Sequence, residues 1–152
     1  MQIEYLTDYN NFTEQAAEWI YREFIQGIQH GVSYEQILNA FHECHKTKLP
    51  IRLVALENGR CVGTVSIVKN DLNCRVYTPW LAALYVDESR RGNKIGEGLI
   101  DRVKQIAKEL GHDELYLRTE HASNYYRRLG WQFVESCDDD YDLKPDVFKI
   151  KL

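Results

Sequence analysis

One segment limits the fold more than any other. Residues 80–86 read Trp80-Leu81-Ala82-Ala83-Leu84-Tyr85-Val86, apolar almost throughout. A strand with one wet face alternates apolar and polar side chains, so an unbroken apolar run belongs inside a sheet covered on both faces. The next ten residues are mostly polar and carry Gly92 and Gly96. Leu99, Ile100, Val103, Ile106 and Leu110 then recur at helical spacing before Gly111 ends the pattern. A buried central strand, a glycine-bearing loop and an amphipathic helix thus follow without a break, the core of an α/β domain.

The first amides of a helix have no backbone partner and point, with the positive end of the helix dipole, at whatever precedes them. A pyrophosphate is a natural occupant: Gly92 and Gly96 remove side chains where backbone must approach phosphate oxygens, and Arg91 adds charge. The same glycines could serve only a tight turn. Neither G-x-G-x-x-G nor G-x-x-x-x-G-K-[ST] occurs, which excludes the Rossmann and P-loop readings.

The rest of the chain organises around this unit. Its 152 residues, 44% hydrophobic, suit one domain spanning 1–152, and no repeat or Gly/Ser/Pro linker divides them. Pro50, Pro79 and Pro145 each stand where a strand or loop would begin. A short strand at 3–6 leads to a helix that Asn11 would cap with Glu14, burying Phe12, Ala16, Trp19, Ile20 and Phe24. Ser33 and Gln36 form a capping box before a second helix with Tyr34, Ile37, Leu38 and Phe41 on one face. Two β-rich runs, 51–57 and 60–68, flank Asn58-Gly59, a pair that tolerates the left-handed backbone of a tight hairpin.

A formal net charge of −4 gives no general attraction to phosphate backbones or anionic lipid, so neither nucleic acid nor membrane is an expected partner. The amino terminus lacks a basic run before an apolar stretch, and no 18 apolar residues occur in succession; the reading is cytoplasmic. Cys44, Cys61, Cys74 and Cys137 lie far apart, as reduced and mostly buried thiols would. His42 and His45 could face one way as metal ligands, but further ligands are not in view; a solvated helix face is the alternative and no metal is expected.

The loop Arg91-Gly92-Asn93-Lys94-Ile95-Gly96 resembles the Arg/Gln-x-x-Gly-x-Gly/Ala loop of the GNAT N-acetyltransferase superfamily. A second stretch, Leu115-Tyr116-Leu117-Arg118-Thr119 followed by Tyr125-Tyr126-Arg127-Arg128-Leu129-Gly130-Trp131-Gln132-Phe133, is similar to the family's fifth strand and its "lYeklGF" pattern. The resemblance runs from about residue 51 to the end, and residues 78–82 and 119–121 look like a group of small bacterial acetyltransferases. It implies an α/β (α+β) fold: a mixed, mostly antiparallel sheet of about seven strands, splayed between the fourth and fifth and flanked by about four helices.

The resemblance also implies an activity: transfer of an acetyl group from acetyl-coenzyme A to a primary amine by direct attack in a ternary complex. The amine would be a small cationic compound, an aminoglycoside-like molecule or a peptide. A non-catalytic acyl-coenzyme A sensor or scaffold of the same fold is the alternative, and a homodimer is left open. By position, the backbone amides of Arg91, Gly92, Asn93, Lys94, Ile95 and Gly96 would hold the pyrophosphate. Leu84 and Val86 would pair through their backbone with the pantetheine arm, and Tyr126 would stand near the sulfur. Lys94 departs from the pattern, which has glycine there. Its backbone is ordinary, or Lys94 compensates for a left-handed conformation by meeting phosphate.

A thiolate leaves more readily when a positioned hydroxyl protonates it, a task that fits Tyr126, with Tyr125 as a packing residue; two core aromatics are the alternative. No carboxylate or histidine lies in 78–86 to deprotonate an ammonium. Glu120 and His121, at the carboxyl end of the fifth strand, would act as base or merely cap the next helix. The run Asp138-Asp139-Asp140-Tyr141-Asp142 would draw a cationic acceptor or simply be solvated.

Overall fold

The Asn58-Gly59 pair turns the chain as its chemistry demands, with φ of 51° and 77°, both left-handed. A computed structural model describes residues 1–73 and 75–152. The expectation for the Cys74 thiol falls outside the described residues. The strands are β1 (Gln2–Tyr5), β2 (Ile51–Glu57), β3 (Arg60–Val68), β4 (Trp80–Val86), β5 (Glu114–Thr119), β6 (Gln132–Ser136) and β7 (Asp146–Lys151). The helices are α1 (Thr13–Ile20), α2 (Tyr34–His42), α3 (Ile95–Glu109) and α4 (Ser123–Arg128).

The strands form one sheet in the order β1-β2-β3-β4-β5-β7-β6. Every neighbouring pair is antiparallel except β4 and β5. The apolar run of β4 accordingly takes the middle position, with Trp80 fully buried. On one face, Leu99, Ile100, Val103 and Ile106 of α3 pack over Leu53, Val65, Ile67, Leu115, Leu117 and Phe148. On the other, Ala16, Trp19 and Ile20 of α1 and Phe41 of α2 cover Val54, Leu56 and Cys61.

Two local expectations need correction. Asn11 does not cap α1: residues 10–12 form a 3-10 turn, α1 starts at Thr13, and no side chain bonds its first amides. Phe24 is exposed, not part of the buried stripe, because α1 passes into a π-helical turn at Tyr21–Ile25. The wider turn rotates later side chains off the 3.6-residue stripe and buries Ile25 in its place. The capping box of α2 forms as expected, Ser33 Oγ accepting from Gln36 N at 3.2 Å and Gln36 Oε1 from Ser33 N at 2.7 Å.

Arg52 is a buried cation at the end of α2. It donates to Ser66 Oγ at 2.9 Å, to Ala40 O at 3.0 Å and to Glu43 O at 3.3 Å, and its guanidinium lies 4.4 Å from the Phe41 ring centroid. Ala40 O also accepts from Glu43 N at 3.1 Å, so Arg52 adds a second donor at the carboxyl end of α2, where the helix dipole favours a cation, and ties α2 to the sheet. No helix among the described residues is long and apolar enough to cross a membrane.

Candidate active site

β4 and β5 run parallel, meet at one register position, Trp80 opposite Tyr116, and then part. Tyr116 N donates to Pro79 O at 3.0 Å at the closed end of the gap. The divergence has a cause within β4. Ala83 takes φ 54° where the β3 register shifts between Thr64 and Ser66, a bulge that bends the strand.

Past the bulge, Val86 lies opposite Gly63 while Asp87 N donates to Val62 O at 2.9 Å. In an antiparallel ladder this alternation sends the backbone groups of Tyr85 and Asp87 toward β3 and those of Val86 and Leu84 the other way, into the gap. Val86 O accepts there from Arg91 Nε at 3.0 Å, and the Arg91 guanidinium lies 5.2 Å from the Tyr85 ring centroid.

The loop after β4 is held from both ends. Arg90 makes a two-pronged pair with Glu57 at 2.8 and 3.1 Å, and Asn93 Nδ2 donates to Arg90 O and Arg91 O. Gly92 has φ 82° and open space around its missing side chain. Lys94 has φ 60° and ψ 21°: it takes the left-handed conformation for which glycine is suited. Gly98 N donates to Lys94 O at 3.1 Å, so the amides of Ile95, Gly96 and Glu97 lack intrahelical acceptors. Arg91, Gly92, Asn93 and Lys94 are exposed, whereas the Ile95 side chain is buried and leaves only its amide for a ligand. A Cβ built on Gly96 would stand 3.4 Å from the Tyr125 hydroxyl and 3.7 Å from Val86 Cγ2, so glycine keeps a slot open between those walls. An unpaired strand edge leading to free helix amides through a glycine-walled slot suits a ligand with an amide-bearing arm and a pyrophosphate, as coenzyme A has.

Tyr126 on α4 is buried, its ring centroid 6.0 Å from that of Trp131 and 6.4 Å from that of Phe148. Its hydroxyl makes no hydrogen bond to a described residue. The fully sealed, unpartnered side-chain polar atoms among the described residues are Thr7 Oγ1 and Trp131 Nε1, so the Tyr126 hydroxyl touches solvent. Burial, helped by Tyr125, raises its pKa and keeps the proton on.

Among the described residues no side chain caps α4, so neither Glu120 nor His121 does; Thr119 Oγ1 accepts from Ala122 N at 3.0 Å just before the helix. Glu120 is paired with Arg118, while His121 is exposed and makes no such contact. Arg118 also reaches Asp139 at 2.6 Å. The Asp139 side chain is 2% exposed and accepts from the amides of Tyr141 and Leu143, both at 2.8 Å. Thus Asp139 folds the loop, and Asp140 accepts from Asn73, so the acidic run is only partly solvated.

Arg118 and Asp71 carried no functional assignment from sequence. The alternation of β5, which buries Leu115, Leu117 and Thr119, was the available signal: it puts Tyr116, Arg118 and Glu120 on the opposite face. Burial pushes the Asp71 carboxyl up to about 7, against the pull of Arg118 and with a push from Glu120.

The model of the acetyltransferase (GNAT) family matches residues 13–131. No curated protein matches closely enough to count as a relative. Among solved structures, an aminoglycoside 6'-N-acetyltransferase complexed with coenzyme A is similar, with TM-score 0.78 and 17% identity over 99% of this chain and 97% of that one. The aminoglycoside 6'-N-acetyltransferase from Enterococcus faecium gives TM-score 0.75 at 16% identity over 99% and 97%. A putative acetyltransferase from Salmonella typhimurium with its cofactor acetyl-CoA gives 0.72 at 18% over 100% and 94%. At these identities the structures speak for the fold, and the family match, over more than two thirds of the chain, carries the kinship: the chain belongs to the GNAT family of acetyl-coenzyme A-dependent acetyltransferases.

Proposed function

We propose that the protein is an N-acetyltransferase for a cationic primary amine, with coenzyme held along the free edge of β4 and acetyl transfer taking place in the gap between β4 and β5. The observation that carries this reading is the continuity of that gap with the α3 amides: past Trp80 no strand among the described residues pairs with the edge of β4 that carries Leu84 and Val86, Val86 O meeting only the Arg91 side chain, and Gly96 keeps its outer end open. The coenzyme supplies an acyl thioester, open to attack by a neutral amine. The amides of residues 92–96 hold the pyrophosphate, helped by the Arg91 and Lys94 side chains, while the Arg91 amide is turned to Glu88 O at 3.4 Å. The backbone of Leu84 and Val86 aligns the pantetheine arm as an added strand would.

Tyr126 holds a proton for the departing sulfur: its hydroxyl has no competing partner among the described residues, and its raised pKa keeps the proton on at neutral pH. His121, exposed and unpaired, is the group free to take a proton from the acceptor ammonium. Glu120, fixed by Arg118, lends negative charge to the acceptor's approach. Similarity in fold to aminoglycoside acetyltransferases supports a polycationic amine as the class to test first.

The test is release of free thiol from acetyl-coenzyme A across a panel of aminoglycosides, polyamines, amino-terminal peptides and neutral amines. Activity confined to cationic amines is expected. Tyr126→Phe, which removes one oxygen and keeps the ring, should lower kcat by roughly 10²–10⁴ while leaving coenzyme affinity near the parent's. Full kcat in that variant, with chemistry rate-limiting, would end the proton-donor role.

A further inference from the structure

Two adjacent tyrosines on α4 face different surroundings. Successive helical residues differ by about 100° in direction. Tyr126 enters the core, while the half-buried Tyr125 turns toward the start of α3. The Tyr125 hydroxyl lies 3.4 Å from the point where a Gly96 Cβ would stand, and Gly96 supplies one of the free amides at that helix end. The hydroxyl makes no hydrogen bond to a described residue. Its proton is held on by burial and by Glu97, with Arg128 pulling the other way and Asp101 adding a smaller push.

We infer that Tyr125 is a coenzyme ligand: its hydroxyl donates a hydrogen bond to a pyrophosphate oxygen seated on the α3 amides. The inference rests on the coenzyme placement proposed above. A phenol used only for packing gains nothing from carrying its oxygen to the rim of an anion-binding helix end. A phenol that remains protonated, with no acceptor among the described residues and a free amide beside it, is a donor awaiting an oxyanion. Together with the amides it gives the phosphate a donor from a second element, so α4 as well as α3 grips the ligand. Gly96 then has two tasks, admitting the phosphate and leaving the Tyr125 oxygen within reach of it.

Calorimetric titration of the parent and Tyr125→Phe proteins with coenzyme A, 3'-dephospho-coenzyme A and pantetheine tests this. A hydrogen bond to a charged oxygen contributes enough that the variant's Kd for coenzyme A should rise about tenfold or more. Dephospho-coenzyme A should lose the same factor, since it keeps the pyrophosphate, and pantetheine should lose nothing. Unchanged affinity for coenzyme A overturns the inference. So does a loss that vanishes with dephospho-coenzyme A, or one that extends to pantetheine, which would reflect disturbed packing. A melting temperature matching the parent's guards against misfolding. Failure of the parent itself to bind coenzyme A would instead remove the coenzyme placement on which the inference stands.

Discussion

Replacing Gly96 by alanine should make the free protein more stable and its coenzyme binding weaker. The added Cβ meets the Tyr125 hydroxyl at 3.4 Å and Val86 Cγ2 at 3.7 Å, ordinary contact distances that require no shift. Gly96 is the second residue of α3 and does not have a left-handed φ. Alanine in a helix interior is favoured over glycine by roughly 0.5–1 kcal/mol. Near a helix end the lower value applies, so the melting temperature should rise by about 1–2 °C at this chain length. The same methyl group fills the slot through which phosphate would approach. Losing one charge-assisted hydrogen bond costs about 1.5–3 kcal/mol, or roughly 10- to 150-fold in Kd. Gly98→Ala is the control: it lies in the same helix, and its Cβ meets the flexible Met1 side chain at 3.1 Å and Ile3 Cδ1 at 3.6 Å, away from the slot. Thermal melts and calorimetry with coenzyme A on both variants give the comparison. Equal affinities in Gly96→Ala and the parent would refute the slot as the coenzyme's path, and a lowered melting temperature would refute the packing argument.

Lys94→Gly should raise the stability of the free protein by about 0.5–1 kcal/mol, since relief of the left-handed conformation outweighs the extra freedom of glycine when unfolded. Coenzyme affinity should fall with the loss of the ammonium; a urea titration showing a loss of stability would contradict the strain, and undiminished affinity would remove Lys94 from the phosphate site. Asp139→Asn should destabilise the fold by about 1–3 kcal/mol through loss of the Arg118 pair. Burial raises the Asp139 carboxyl, but Arg118 and the amides of Tyr141 and Leu143 outweigh it and hold the pKa below the ordinary value. Its stabilisation is therefore complete above about pH 3.9 and lost as pH falls through the lower folded value, a dependence that acid melts of the asparagine variant should lack.

Strand positions were legible where local chemistry dictates them. The hairpin rests on Asn58-Gly59, and β4 announces its central place because no polar residue interrupts it. The α2 capping box is likewise a property of four consecutive residues. The Asn11 signal has the same form and fails, because residues 10–12 wind into a 3-10 turn and α1 begins only at Thr13, which leaves Asn11 inside the turn rather than at the helix's N-cap. The bulge at Ala83 leaves no trace in composition, since alanine is no usual choice for a positive φ. Arg52 and Arg118 were invisible for a different reason: their partners lie up to 21 residues away, and a single sequence does not reveal which distant carbonyl or carboxylate a cation will meet. Of the candidate site, the loop and Tyr126 were legible as a pattern, whereas the orientation of Tyr125 toward Gly96 depends on how α4 docks.

The parting of β4 and β5 also divides the sheet mechanically. Strands β1 to β4 and strands β5 to β7 are two panels joined at one ladder position, Trp80 beside Tyr116, with α3 spanning them as a brace. Such panels share little hydrogen bonding and open against each other more readily than the halves of a continuous sheet. A ligand that bonds to the free edge of β4 and also touches α4 becomes a splice across the seam. At a concentration one hundred times its Kd it would add about 2.7 kcal/mol to the folded state. The resistance of this domain to unfolding, and to proteases that cut its opened form, would then follow the supply of coenzyme around it.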